Sequence, residues 1–256
     1  MLGSLDSTQH WNWASCGKHP VAKDYFNLGQ PFPLMSSFSD WIEKGYETFS
    51  STAKKEQRYS SWRFWARDFT KELLVCGLVR ESSDSLGRPY PLLIMGTGPL
   101  KGWQLYWDFL PFACENTWNH LEYVSAQMFK NLKDLEAGIQ LIKPPSPEWS
   151  AFIDRRKKFI DFDKNSENKS LPLKLQELER QASILSEKKE GFISLELSPL
   201  YDQVVLISLW HFLFKKHSKE MPISIFIGGT LEEAFLSFFK RPLLKSDFVQ
   251  LWSIFT

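Results

Sequence analysis

The chain has 256 residues, 43% hydrophobic and 15% aromatic, with 21 Phe and 11 Trp. That is ample material for a core, and it excludes an intrinsically disordered chain. Lys and Arg total 31 against 30 Asp and Glu, a net charge of +1, so the basic footprint of a nucleic-acid-binding protein is missing.

The N-terminal stretch MLGSLDSTQHWNW has neither the basic start nor the apolar centre of a signal peptide. The longest apolar run, Val204 to Phe214, is interrupted by Ser208 and His211 and falls well short of the roughly 20 residues that span a bilayer. Direct membrane insertion is therefore not expected. Cys16, Cys76 and Cys114 have no regular spacing, as expected of reduced thiols in a cytoplasmic protein.

Trp11 to Cys16 alternates large apolar with small or polar residues and predicts a strand. Gly17 to Pro20 breaks it. Gly17-Lys18 is not a phosphate-binding loop: Asn12 stands where that motif needs a Gly, and His19 where it needs Ser or Thr. A strand end and turn is the plainer expectation. Phe32 to Phe49 is a predicted helix, opened by Ser36 or Ser37, with Phe38, Trp41, Ile42, Tyr46 and Phe49 on one face. Ser50 to Ser60 is polar loop. Trp62-Arg63-Phe64-Trp65 leads towards Phe69 and the first central strand, with Arg63 expected as a structural cation stacked on Trp62 or Trp65.

Leu73 to Val79 and Tyr90 to Met95 are short apolar runs, read as two central strands. The Glu81 to Pro89 segment between them is rich in Ser, Asp, Gly and Pro, hence a loop. Asp84 precedes Arg88 by one helical repeat of sequence, with Gly87 between them to let the backbone turn. Three roles are open to this pair. It closes the loop on itself, it ties the loop to the first strand through Lys18, Asp24 or Arg63, or it is presented to a partner.

Gly96 to Gly102 reads as loop. Glu115-Asn116 opens a predicted helix to about Leu132, capped by Asn116 and buried along Trp118, Leu121, Val124, Ser125 and Met128. Lys143 to Pro147 reads as a linker, Glu148 to Phe162 as a short helix, Asp163 to Ser170 as a mobile polar loop, and Pro172 to Lys189 as a solvated helix. Phe192 to Leu197 is a predicted strand. Ser198-Pro199 then starts a helix to about His217, apolar nearly all round and so buried on more than one side. Pro222 to Ile227 predicts a strand, Gly228-Gly229-Thr230 a turn into a helix with a Thr230 and Glu233 capping box, and Lys245 to Trp252 a last helix. Strands alternate with helices, and the central strands are too apolar to face water. The expected fold is α/β, with a central sheet covered by helices on both faces.

Signals for catalysis are weak. Cys16 and His19 have the spacing of half a zinc site, but no second pair exists, so no metal is expected. No G-x-S-x-G elbow is present. His211 reads as a hydrogen-bonded core histidine. Gly228-Gly229-Thr230 at a helix start has an anion-binding form, which the capping box already explains.

One set of residues carries a family resemblance. Ser83-Asp84-x-x-Gly87-Arg88-x-x-Pro91-Leu92 resembles the signature of the TagF (ImpM) family, proteins associated with the bacterial type VI secretion system. Gly17-Lys18-x-Pro20 with Asp24-Tyr25 resembles the family's N-terminal G-K-x-P…D-F, and Trp62-Arg63-Phe64 its W-R-F. His19 and Tyr25 depart from the pattern, where an apolar residue and Phe are usual. The likeness is good from about Ser15 to Trp103, and the best-matched part spans about 10–140. The resemblance implies a single three-layer α/β/α domain over residues 1–256. It implies a non-enzymatic cytoplasmic accessory protein with no cofactor, which restrains secretion after translation by binding the system's forkhead-associated scaffold protein. The alternative is a hydrolase or phosphate-binding enzyme using Lys18, Asp24, Asp84 and Arg88; a deep pocket around these four favours it, a shallow surface the binding protein.

Overall fold

Eight segments pair through their backbones: β1 (Asn12–Gly17), β2 (Phe26–Gly29), β3 (Ser61–Arg67), β4 (Leu73–Arg80), β5 (Leu92–Pro99), β6 (Glu190–Leu195), β7 (Ser224–Gly229) and β8 (Ala234–Phe239). They form one sheet in the order β2-β1-β5-β4-β3-β7-β8-β6, and every neighbouring pair is antiparallel. Seven helices accompany it: α1 (Pro33–Thr52), α2 (Leu110–Ala126), α3 (Leu132–Gln140), α4 (Trp149–Asn165), α5 (Ser170–Ser186), α6 (Gln203–His217) and α7 (Lys245–Ser253). The computed structural model describes residues 10–52, 60–68, 73–165, 170–195, 202–230 and 233–253, and the counts refer to these.

Side chains alternate along a strand, so each strand serves two packing environments. Trp65, Cys76, Leu78, Ile94, Ile225 and Phe238 join a cluster with Leu121 of α2, Leu135 of α3 and Trp210 of α6. Their neighbours Phe64, Val75, Val79, Met95, Phe226 and Phe239 join another with Phe38 and Trp41 of α1 and Phe248 of α7. Apolar residues at both parities are why β4 and β5 read as unbroken hydrophobic runs. Helix α6 is apolar nearly all round because Val205, Ile207, Leu209, Trp210, Leu213 and Phe214 are all buried.

Several boundaries differ from expectation. Strand β5 starts at Leu92 and continues through Gly96 and Gly98 to Pro99 instead of ending in a loop. A Cβ at Gly96 would lie 2.4 Å from the Trp13 ring and one at Gly98 2.5 Å from the Trp11 ring, so these glycines admit two stacked indoles. Trp62 to Trp65 lies within a central strand itself; Phe69 is outside the described residues. Helix α2 starts at Leu110, with Pro111 in its first turn, and Asn116 is mid-helix rather than a cap. It ends at Ala126, leaving Met128 84% exposed, and Asn131 caps α3 by accepting the Asp134 N–H at 3.1 Å.

Lys143 to Pro147 is not a free linker. The Thr117 hydroxyl donates to Lys143 O at 2.9 Å, the Ser146 N–H donates to Ala113 O at 3.1 Å, and Pro145 is buried. Of the expected polar loop, Asp163 to Asn165 belongs to α4 and Ser170 opens α5, while 166–169 lie outside the described residues. Ser198-Pro199 also lies outside them. The cap of α6 is Asp202, whose carboxylate accepts the Val204 and Val205 N–H groups. Thr230 and Glu233 close the β7–β8 hairpin and start no helix. The Thr230 N–H donates to Glu233 O at 2.9 Å and the Glu233 N–H to Thr230 Oγ1 at 3.2 Å. Ala234 to Phe239 puts Leu236 and Phe238 in one cluster and Phe235 and Phe239 in the other, as a strand does.

Candidate functional site

Strand β1 ends where its backbone meets the start of β5. Gly17 has φ 118°, and a Cβ there would lie 2.1 Å from Pro91 O. Only glycine fits this crossing. It delivers Lys18 to the loop between β4 and β5. That loop closes through a bridge between Ser83 and Pro89, and Gly87 turns it with φ 76° in open space. The Asp84 N–H donates to Arg88 O at 3.2 Å and the Gly87 N–H to Asp84 O at 2.9 Å.

The Asp84 carboxylate is the hub. It is fully buried and accepts four donors: Leu86 N–H and Arg88 N–H on Oδ1, each at 3.0 Å, and Arg88 Nε at 2.7 Å and Lys18 Nζ at 3.0 Å on Oδ2. Burial alone would raise its pKa. The Arg88 N–H, the Lys18 ammonium, the Leu86 N–H and the Arg88 guanidinium outweigh that and hold it well below the usual carboxylate range. Arg88 reaches on from Asp84 to Lys23 O at 2.7 Å and to the Asp24 carboxylate at 3.3 Å. Asp24 accepts its neighbour's Tyr25 N–H at 2.8 Å; that bond first, then the Arg88 charge, lowers its pKa. The Ser85 N–H donates to Ala22 O at 2.8 Å. Two of the three roles open to the pair are thus filled together: Asp84 and Arg88 close the loop and tie it to the chain leaving β1.

Arg63 takes no part in this cluster. Its Nε and Nη2 grip both carboxylate oxygens of Glu122 on α2 at 2.7 Å, with Asn119 Oδ1 at 3.3 Å from Nη2. The expected stacking on Trp62 or Trp65 gives way to this fork, which matches a carboxylate better than a ring face. Trp62 is fully buried and its indole donates to Ser60 Oγ at 2.9 Å. Pro20 is exposed in the turn after Lys18, and Pro91 is buried.

The departing residues are accommodated. His19 is buried beside Phe129, its Nδ1 accepting the Val21 N–H at 3.2 Å, and burial lowers its pKa. The Tyr25 hydroxyl lies 3.1 Å from Ser39 Oγ on α1, and its ring meets Tyr90 edge-on at 5.6 Å. Tyr46 completes the group, its ring 5.1 Å from Tyr90 and its hydroxyl donating to Pro89 O at 3.2 Å. These three tyrosines brace the loop from the α1 side. No sequence signal links them, because they come from three separate stretches of the chain: the turn before β2, helix α1 and the segment before β5.

Chemically, the cluster is a neutral knot of two cations and two anions. A general base needs a free lone pair and a pKa near working pH. Asp84 has neither: its oxygens are taken and its pKa is depressed. The parts that face solvent are Arg88 and Asp24, with side chains 49% and 68% exposed, and Leu86 at 72%. A second charged knot escaped sequence reasoning. Asp108, buried in a 3-10 turn (Trp107–Phe109) before α2, accepts Arg156 Nη2 at 2.8 Å and Lys215 Nζ at 2.6 Å, while the Arg156 guanidinium sits 3.7 Å over Phe109. It joins α4 to α6. His211 is a core histidine: Trp65 Nε1–H donates to its Nε2 at 3.0 Å, its Nδ1 lies 2.8 Å from Ile207 O, and burial pushes its pKa down to about 4.

Among the described residues, no three His, Cys, Asp or Glu side chains are grouped to hold a metal ion, and no helix is long and apolar enough to cross a membrane. The model of the TagF N-terminal domain, type VI secretion system-associated, matches residues 14–143, just over half of the chain. That span contains both the loop and the β1 end that it grips. Among solved structures, the crystal structure of PA0076 from Pseudomonas aeruginosa PAO1 at 2.05 Å resolution is similar in fold. The TM-score is 0.54 at 13% identity, covering 93% of this chain and 93% of that one. No curated protein matches the chain.

Proposed function

Because this chain belongs to the TagF family, associated with type VI secretion, we propose that it is a cytoplasmic accessory protein of that system, acting by binding another protein and catalysing nothing. The family match carries this reading, together with one observation about the site. Lys18 and Arg88, two charged residues of the resemblance, converge on Asp84, and the convergence satisfies the carboxylate rather than exposing it to a substrate. A site so closed is a rigid platform. Arg88, Asp24 and Leu86 project from it, and an arginine held at its base by a buried carboxylate loses little freedom when a partner docks.

The partner is the forkhead-associated scaffold protein of the secretion system, and binding it restrains assembly after translation. In architecture we read one three-layer α/β/α domain over the whole chain. Two packing clusters of opposite strand parity support the layers, and the pairing of β3, inside the matched segment, with β7, outside it, supports the single domain.

Calorimetry or size-exclusion chromatography of the purified pair tests the function. A 1:1 or 2:2 complex at micromolar concentration is expected. No binding at tens of micromolar, with a robust hydrolytic activity that Asp84→Ala abolishes, would replace this reading with the enzyme one.

A further inference from the structure

Away from the Asp84 knot, a cleft of about 460 Å³ opens between α1 and the sheet. Its walls are Leu34, Phe38 and Trp41 of α1 and Leu243 of the segment before α7; its floor includes Ala66 of β3 and Ser224 of β7. Ala66 and Ser224 are directly paired across the two strands. They share the parity of Phe64 and Phe226, which fill the same side of the sheet one step along. The cleft exists because two adjoining positions carry small side chains where their neighbours carry phenyl rings.

The walls are held in place. The Trp41 indole donates to Leu244 O at 2.8 Å, and its ring packs on Phe38, Phe226 and Phe248 at centroid distances of 5.8, 5.6 and 5.4 Å. The floor has one unusual group. Ser224 is 1% exposed, and its hydroxyl has no hydrogen-bond partner among the described residues. By strand alternation the Ser224 side chain lies on the α1 side of the sheet, the side of the cleft that it lines. Buried hydroxyls normally find partners, and leaving one unpaired is costly. The cleft volume lies within the range of small-molecule sites, about 300–1,000 Å³, which are apolar with a few placed polar groups. Arg67 and Asp68 also line it, with opposite charges, so no net field there selects an ion.

We propose that this cleft binds an uncharged, medium-chain apolar molecule ending in a hydroxyl or carbonyl, with the chain against Phe38 and Trp41 and the polar end hydrogen-bonded to the Ser224 hydroxyl. Octanol is the probe. Calorimetry on the full chain is expected to show saturable 1:1 binding, and the Trp41 indole N–H resonance, assigned with Trp41→Phe, to shift on titration. Ala66→Leu fills the floor and abolishes binding while far-UV circular dichroism stays unchanged. Ser224→Ala keeps the shape, leaves the melting temperature of the free protein unchanged or raises it, and weakens octanol binding roughly three- to tenfold, the value of one hydrogen bond. Should Ala66→Leu not fold, Ser224→Ala and the Trp41 shift still decide. No saturable binding to the wild type, an unmoved Trp41 signal, or equal affinity in Ser224→Ala overturns the proposal.

Discussion

Gly17 and Gly87 both belong to the family resemblance and both have positive φ, 118° and 76°, yet their surroundings predict different costs for the same substitution. Alanine at either forces an L side chain into a disfavoured backbone region, at about 1–2 kcal/mol. Both also gain about 0.4–1 kcal/mol from a less flexible unfolded chain. Gly87 meets nothing within 4 Å, so Gly87→Ala nets about 1 kcal/mol. At Gly17 the added Cβ would lie 2.1 Å from Pro91 O and 3.1 Å from Leu92 Cα, backbone atoms of a paired strand that cannot swing aside. Separating β1 from β5 there adds about 1–3 kcal/mol, as overpacking does elsewhere, for a net of about 3 kcal/mol. At about 2–4 °C per kcal/mol for a chain this size, Gly17→Ala lowers the melting temperature by roughly 6–12 °C and Gly87→Ala by roughly 2–4 °C. Paired thermal melts at neutral pH, with urea titrations to check that the slope is unchanged, measure both. A Gly87→Ala loss equal to or larger than that of Gly17→Ala would refute the steric reasoning.

Three further outcomes are expected. Arg88→Ala strips Asp84 of one donor and frees Lys23 O and Asp24, so it lowers the melting temperature by several degrees; an unchanged melt combined with lost binding to the scaffold protein would make Arg88 a contact residue instead. Asp84→Asn lowers stability at neutral pH. Because the folded pKa of Asp84 is depressed, its contribution is complete above the unfolded value of about 3.9 and is lost as pH falls below that. The gap between wild type and Asp84→Asn therefore closes in acid, and a gap constant from pH 7 to 3 contradicts this. His211 works in another window. Its folded pKa of about 4 lies below the ordinary 6.5, so only the unfolded chain binds the proton between these values and stability falls as pH drops through them. The slope is up to about 1.4 kcal/mol per pH unit. His211→Gln is expected to flatten the stability curve over that range, and an identical slope in the variant counts against a neutral buried imidazole.

Much of the local structure was legible in the sequence because its causes are short-range. The Asp84–Arg88 pair needs only a Gly-containing loop to bring its ends together, and the structure has that bond at 2.7 Å. The α1 stripe follows from a period of 3.6, and the family from motif residues that lie in a few short stretches. Other features were decided by residues distant along the chain. Gly96 and Gly98 carry a local turn signal, and the Trp11 and Trp13 rings overrule it by demanding a bare strand to pack on. Thr230 and Glu233 make much the same short hydrogen bonds in a capping box as in a hairpin, so only the rings on both sides of β8 distinguish the two. Lys18 joins Asp84, Arg63 takes Glu122 instead of a ring, and Ala66 meets Ser224 beneath α1 because strand order and register place them so. Sequence patterns report turns, periods and caps, which act over a few residues; register and partner choice arise from packing across the whole sheet, where a side chain's neighbours are unrelated to its position in the chain.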